Sequence, residues 1–167
     1  MSLVGHWKLD GNTEDSAGGG DGSGSPTYVD GKIGQAIDGD GTNIDVSSDK
    51  IGAALTGNQM TLSVWWKQTD TNNYSDIIST GGFRLERGSD SNPGQSDYWC
   101  NWGAGSSDFR NEGVNLSNSD IGIPQGQWFH IVARRKGSSL EVWINGDRDR
   151  SVSTDLDMTS YGNGFTI

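Results

Sequence analysis

The chain of 167 residues carries 22 Asp and Glu against 12 Lys and Arg, a net charge of −10 at neutral pH. Such a surface repels a phosphate backbone and an anionic bilayer, which excludes nucleic-acid and membrane-surface partners, yet it permits hard divalent cations. A single cysteine, Cys100, rules out an internal disulfide, and with only 31% apolar residues the seven tryptophans must supply much of any core.

In chain order, Leu3 to Leu9 reads as a first strand, with Leu3, Trp7 and Leu9 on one face. No signal peptide precedes it, so the expectation is a protein without a secretion signal of its own. Asp10 to Pro26, DGNTEDSAGGGDGSGSP, is a polar, Gly-rich loop whose length suits a mobile segment or one wrapped around an ion. Gln35 to Ile37 and Ile44 to Val46 are short strands split by Asp38-Gly39-Asp40-Gly41, and Ile51 to Leu55 suits one helical turn. Met60 to Gln68 alternates clearly: Leu62, Val64 and Trp66 face one way, and Ser63, Trp65 and Lys67 the other. Asp76 to Ser79, Phe83 to Glu86 and Tyr98 to Trp102 read as further strands.

The segment from Gly126 to Asp147 is an antiparallel meander. Phe129, Ile131 and Ala133 alternate with Trp128, His130, Val132 and Arg134. Lys136-Gly137-Ser138-Ser139 breaks the run, and Leu140, Val142 and Ile144 then alternate with Glu141, Trp143 and Asn145. Asn145-Gly146 is the dipeptide that most readily takes positive φ in a hairpin, and Arg148 to Val152 returns as a strand. Trp128, Phe129, Trp143 and Ile144 are expected mainly to build a core between two sheets. The 26 glycines, scattered between short strands, and the lack of helical periodicity give an all-β, antiparallel sandwich or jelly roll.

Several blocks occur in a recognisable order: Gly31-Lys32-Ile33-Gly34-Gln35-Ala36, Val64-Trp65-Trp66-Lys67, Gly126-Gln127-Trp128-Phe129-His130-Ile131 and Ile144-Asn145-Gly146. Together with His6-Trp7-Lys8-Leu9-Asp10-Gly11-Asn12, this order resembles the laminin-G-like, concanavalin A-like jelly rolls. The resemblance implies one laminin-G-like two-sheet jelly-roll domain over residues 1–167. Family members close with a strand of the pattern Ile-Asp-x-Val/Leu-x-Ile-Tyr beside the first strand. Gly162-Asn163-Gly164-Phe165-Thr166-Ile167 looks instead like the start of the next-to-last strand, so the expectation is a fold whose last strand comes from elsewhere. An edge left open there would be a pairing liability.

Fold does not decide function, because lectins, glucanases and adhesion modules share this one. Glucanases of the fold carry a Glu-x-Asp-x-x-Glu array, and none of Glu14, Glu86, Glu112 and Glu141 lies in one. His130 reads as a packed, hydrogen-bonded histidine in preference to a triad member, so the chain is expected to be no enzyme. Asp10, Asn12, Asp15 and Asp21 in the first loop, with Asp38 and Asp40, are oxygen donors suited to calcium, although Asp-Gly is also ordinary turn chemistry. The resemblance points the same way, since related jelly rolls bind calcium at such loops.

Aromatic side chains that stack on sugars are the third feature: Trp65, Tyr74, Trp99, Trp102 and Tyr161 are candidates, and the odd spacing of Trp99 and Trp102 sends them to opposite strand faces. Arg134, Arg135, Lys136, Arg148 and Arg150 form a basic concentration, read as solvated strand edges or as a dock for an acidic partner. Two functions follow. The first is a non-catalytic recognition or adhesion module, carbohydrate-binding, on a particle or cell surface. The second is a structural decoration, spike or fibre protein of a virion. Either implies a homo-oligomer or attachment to a larger assembly, with a glycan or surface protein as partner, at a virion surface or outside the cell by another export route.

Overall fold

The structure, a computed structural model, describes residues 2–39, 41–55, 58–69, 75–80, 83–87, 95–96, 98–102, 114–115, 123–124, 126–153 and 164–167. At 55, 75, 86–87, 95–96, 98–102, 114–115, 123–124, 150 and 152 it describes the backbone alone. The elements are β1 Gly22–Ser23, β2 Tyr28–Asp30, β3 Gln35–Ile37, β4 Asp45–Ser47, α1 Asp49–Leu55, β5 Gln59–Lys67, β6 Ser75–Ser79 and β7 Phe83–Arg87. They continue with β8 Gln95–Ser96, β9 Tyr98–Trp102, β10 Val114–Asn115, β11 Ile123–Pro124, β12 Trp128–Lys136, β13 Ser139–Ile144, β14 Asp147–Ser153 and β15 Gly164–Thr166.

A seven-stranded sheet runs β1-β4-β15-β6-β7-β9-β10 and a four-stranded sheet runs β14-β13-β12-β5; β2-β3 and β8-β11 are separate ladders. The pairings are antiparallel, as the short turns between alternating segments require. This is the all-β jelly-roll sandwich that the sequence pattern predicts.

The core lies between the two sheets. The four-stranded sheet supplies Phe129, Ile131 and Ala133 from β12 and Leu140, Val142 and Ile144 from β13, the residues that alternation assigns inward. Val46, Ile77, Ile78, Phe83, Leu85 and Phe165 come from the seven-stranded sheet, and Ile51 from α1. Ile131 and Leu140 are wholly buried, so Ile131→Ala or Leu140→Ala is expected to cost about 2–5 kcal/mol through lost burial and an unfilled cavity. Equilibrium urea unfolding measures it, and a loss below about 1 kcal/mol would contradict the packing described.

The turns behave as their chemistry dictates. Asn145 and Gly146 take φ of 51° and 95° between β13 and β14, the left-handed pair that matches the right-handed twist of a two-residue hairpin.

The N-terminal segment departs from expectation. Leu3 to Leu9 forms no strand; its pairing is one isolated bridge, Trp7 to Asp15, and Leu3 is 72% exposed. The cause is local. Leu9 sits at φ 57°, which breaks the extended chain, and the polar loop folds back to satisfy the segment's backbone itself, with Ser16 N–H donating to His6 O at 3.0 Å. Trp7 still reaches the core, edge-on to Phe165 with ring centroids 5.1 Å apart, while its Nε1–H donates to Gly20 O at 3.0 Å.

The last described strand is interior. β15 pairs with β4 through Gly164–Ser47, Phe165–Val46 and Thr166–Asp45, and meets β6 at Thr166–Ser79. It therefore sits within the seven-stranded sheet, where Phe165 closes one end of the core.

Candidate functional site

The same alternation that fills the core fixes what the four-stranded sheet shows on its other side. Ser63, Trp65 and Lys67 of β5 face outward, beside Trp128, His130, Val132 and Arg134 of β12 and Glu141 and Trp143 of β13. Register places Lys67 opposite Trp128, Trp65 opposite His130, Ser63 and Trp143 on either side of Val132, and Arg134 opposite Glu141. Trp128 and Trp143 are thus not core builders, as expected from their size. They are half-buried on the outer face because Phe129 and Ile144, their neighbours in the strand, occupy the inward positions.

Trp65 is the most open of these rings at 42% exposure. The His130 imidazole lies beside it, centroids 5.1 Å apart and planes inclined by 33°. Ser63 Oγ sits 2.8 Å from His130 Nε2, and Asn145 holds the strand at this point: His130 N–H donates to Asn145 Oδ1 at 3.0 Å and Asn145 N–H returns to His130 O at 2.9 Å.

Each outward tryptophan carries a cation. Lys32 Nζ lies 5.4 Å from the Trp65 centroid, Lys67 Nζ 5.0 Å from Trp128, and the Arg134 guanidinium carbon 5.8 Å from Trp143. Lys32 comes from the tip of the β2–β3 hairpin, closed by Gly31 N–H to Gly34 O at 2.9 Å with Gly34 at φ 61°. Contacts of this kind contribute about 0.5–1 kcal/mol at exposed sites.

Glu141, 8% exposed, anchors the far end. Its Oε2 accepts from Arg134 Nη2 at 2.5 Å and from Trp143 Nε1 at 3.2 Å. Burial pushes its carboxyl upward, but the hydrogen bonds of Trp143 and Arg134 and the charges of Arg134 and Arg148 outweigh this and hold it below its ordinary value. It stays ionised at neutral pH and fixes both partners on the sheet.

Of the sugar-stacking candidates, Trp65 is on this face. Trp99 and Trp102 belong to β9 of the other sheet, opposite Glu86 and Phe83, and their side chains lie outside the described residues, as do Tyr74 and Tyr161 altogether. Trp65 therefore shares no sheet with Trp99 and Trp102. The parity of β5 and β12 holds the signal for Lys67, Trp128 and His130 as members of one surface, whereas Trp143 comes from β13 and Lys32 from a separate hairpin.

The oxygen-donor candidates Asp10, Asn12, Asp15 and Asp21 are held by the chain's own backbone. Asp15 accepts backbone N–H groups at both carboxylate oxygens: His6 at 2.6 Å and Ala17 at 2.9 Å on Oδ1, Gly20 at 3.0 Å and Gly19 on Oδ2. Asp21 Oδ1 accepts from Asp15 N, Asp10 Oδ1 from Gln35 N and Asn12 Oδ1 from Glu14 N. Asp38 stands at the end of β3, and Asp40 lies outside the described residues. Among the described residues no three His, Cys, Asp or Glu side chains gather around one point. A hard cation needs about six to eight oxygens turned toward it, and Asp15 turns its oxygens to the chain instead.

The Ser63–His130 contact is the nucleophile–base distance, but among the described residues no carboxylate bonds His130 to complete a triad. A cavity of about 340 Å³ on the seven-stranded sheet is lined by Asp45, Ser47, Ser79, Thr80, Phe165 and Thr166, with Thr166 Oγ1 donating to Asp45 Oδ1 at 2.7 Å.

Residues 38–167 match the family Laminin_G_3, described as the concanavalin A-like lectin/glucanases superfamily. Among solved structures, domain 4 of AbnA, a GH43 extracellular arabinanase from Geobacillus stearothermophilus solved with arabinotriose, superposes with a TM-score of 0.71 at 21% identity, over 99% of this chain and 82% of that one. Botulinum neurotoxin type C, whose cell entry is dependent upon interaction with two ganglioside molecules, superposes at 0.60 with 15% identity, over 92% of this chain and 39% of that one. The botulinum neurotoxin serotype G binding domain gives 0.58 with 14% identity, over 91% and 39%. At these identities the likeness is one of fold. No curated protein sequence matches the chain. The family match spans most of the residues, including the four-stranded sheet and all but β1 of the seven-stranded one, and the chain belongs to the concanavalin A-like lectin/glucanase superfamily.

Proposed function

We propose that this chain is a non-catalytic carbohydrate-binding module that receives a sugar on the outward face of β5 and β12, with Trp65 as the stacking platform. The observation that carries the reading is the exposed Trp65 ring, 42% open on a sheet face turned away from the core. An indole held on a strand presents a flat apolar surface to the C–H face of a sugar ring, and the neighbouring polar groups meet its hydroxyls. Ser63, His130 and Lys32 supply those groups around the ring, and Lys67 stands two residues along the strand over Trp128. The face is shallow, which suits binding without chemistry. The tying of Glu141 to Arg134 and Trp143 argues the same way, since glycoside hydrolysis needs two available carboxyl groups. Among related folds, one was solved with arabinotriose and one interacts with gangliosides, which supports a glycan ligand, and another was solved with rat synaptotagmin II. Presentation in several copies on a particle or cell surface would raise a weak single contact to useful avidity.

Trp65→Ala is expected to weaken binding to the glycans that score on an array by roughly tenfold or more, with an unchanged circular dichroism spectrum, because one stacked ring contributes on the order of 1–3 kcal/mol. Isothermal titration with the strongest array ligand gives the number. Trp99→Ala and Trp102→Ala, in the other sheet, are expected to leave it unchanged; loss of binding in those variants with Trp65→Ala silent would move the site to the seven-stranded sheet.

A further inference from the structure

We propose that the carbohydrate taken on this face is an anionic polysaccharide, gripped by Lys32 over Trp65 and Lys67 over the neighbouring Trp128 without a bridging metal ion. This rests on the carbohydrate-binding reading above and adds the chemical class of the ligand.

Charge carries the argument. The chain as a whole has 22 acidic against 12 basic residues. On the outward face of β5, β12 and β13 the balance reverses: Lys67, Arg134 and Lys136 stand against Glu141. That carboxylate is already committed to Arg134 at 2.5 Å and held under the surface, so it does not offset the lysines over Trp65 and Trp128. The hairpin tip adds Lys32 to the same side. With a screening length of about 8 Å at physiological ionic strength, a ligand on this face senses the nearby charges above all: the lysines and, on the hairpin side, Asp30 and Asp10, whose Oδ1 already accepts from Gln35 N at 2.9 Å.

The state of those lysines points to a ligand. Neither Lys32 nor Lys67 has a carboxylate partner among the described residues; each ammonium rests over an indole, 5.4 Å and 5.0 Å from the ring centroids. A lysine on an aromatic ring keeps its N–H donors toward solvent, and an anionic group there would complete a charge-assisted hydrogen bond. The two sites are neighbours on one face. Trp65 and Lys67 are two residues apart on the same face of β5, Trp128 lies opposite Lys67, and Lys32 reaches Trp65 from the hairpin. A saccharide chain laid along Trp65 and Trp128 would meet a cation at each ring, the pattern a chain of charged sugars matches and a neutral one leaves unused.

The test is affinity electrophoresis and titration with polygalacturonate, alginate and dextran sulfate, beside carboxyl-reduced polygalacturonate and alginate and plain dextran as neutral counterparts, all in chelator. The expected result is retention by a charged form at least tenfold tighter than by its neutral counterpart, weakening as salt rises, and lost in Trp65→Ala. Lys32→Gln and Lys67→Gln are each expected to lower it several-fold, with Lys50→Gln, on a remote helix, unchanged. Carboxylated and sulfated arms separate the two sources of negative charge. Equal affinity for charged and neutral forms overturns the proposal and leaves carbohydrate binding standing. Retention by polyanions that survives Trp65→Ala also overturns it, reducing the face to plain ionic adhesion. Retention by no polysaccharide, charged or neutral, sinks both readings.

Discussion

Asp15→Ala is expected to remove on the order of 3–5 kcal/mol of stability, a large share of what a domain of this size possesses. The carboxylate accepts backbone N–H groups from His6, Ala17, Gly19 and Gly20 and holds the loop against the isolated Trp7–Asp15 bridge. Without it those donors lose their acceptor at a site only 9% exposed, and the segment that carries Trp7 onto Phe165 loses its tether. Asp15→Asn keeps one carbonyl oxygen and is expected to cost less.

The same residue sets an acid limit. Burial pushes the Asp15 carboxyl upward, and the backbone donors of His6, Ala17, Gly20 and Gly19 outweigh it, so the group sits below its ordinary value of 3.8. Because the folded value is depressed, the unfolded chain takes up the proton first as pH falls. The stabilisation is therefore fully present above the ordinary value and is lost as pH drops through the folded one. Thermal melts of the wild type are expected to be nearly level from neutral pH down to about 4 as far as this group is concerned, and to fall below that. Asp15→Asn is expected to show a shallower fall at the acid end. Parallel curves for the two proteins would show that Asp15 does not carry the acid sensitivity.

Gly164→Ala is the second severe change, expected to cost about 3 kcal/mol, and Gly164→Val more. A Cβ built at Gly164 would lie 2.0 Å from Val46 O and 3.0 Å from Ser47 Cα, which are backbone atoms that cannot swing away. Relief requires β15 to separate from β4, which would break the Gly164–Ser47 and Phe165–Val46 pairing and withdraw Phe165 from Trp7 and the core. Glycine in a strand marks such close backbone approach. Urea titration followed by tryptophan fluorescence reads the change, and a Gly164→Ala protein as stable as the wild type would show that β15 packs otherwise.

Much of the architecture was legible because β structure writes a period of two into the sequence. The inward sets of β5, β12 and β13, the Asn145-Gly146 turn and the family order of the blocks all follow from local chemistry. The same parity implied the outward set, yet Trp128 and Trp143 were assigned to the core by size, because bulk says that a residue seeks burial and not on which side of a strand it stands. The first strand was misread for a related reason: Leu3, Trp7 and Leu9 have the right spacing, but a polar loop that returns to bond the segment at His6 and Asp15 removes the need for a neighbouring strand.

What the amino-acid order determined alone, then, is the fold class, the faces of the long strands and the acidity of the whole. Alternation, turn residues and charge are properties of neighbours along the chain. Only the tertiary structure decided that Lys32 from one hairpin and Trp65, His130 and Ser63 from two strands share a surface, that Asp15 serves the backbone, and that β15 lies between β4 and β6. Those facts depend on register and on contacts between residues far apart in sequence, and many sequences with the same pattern could satisfy the pattern without them.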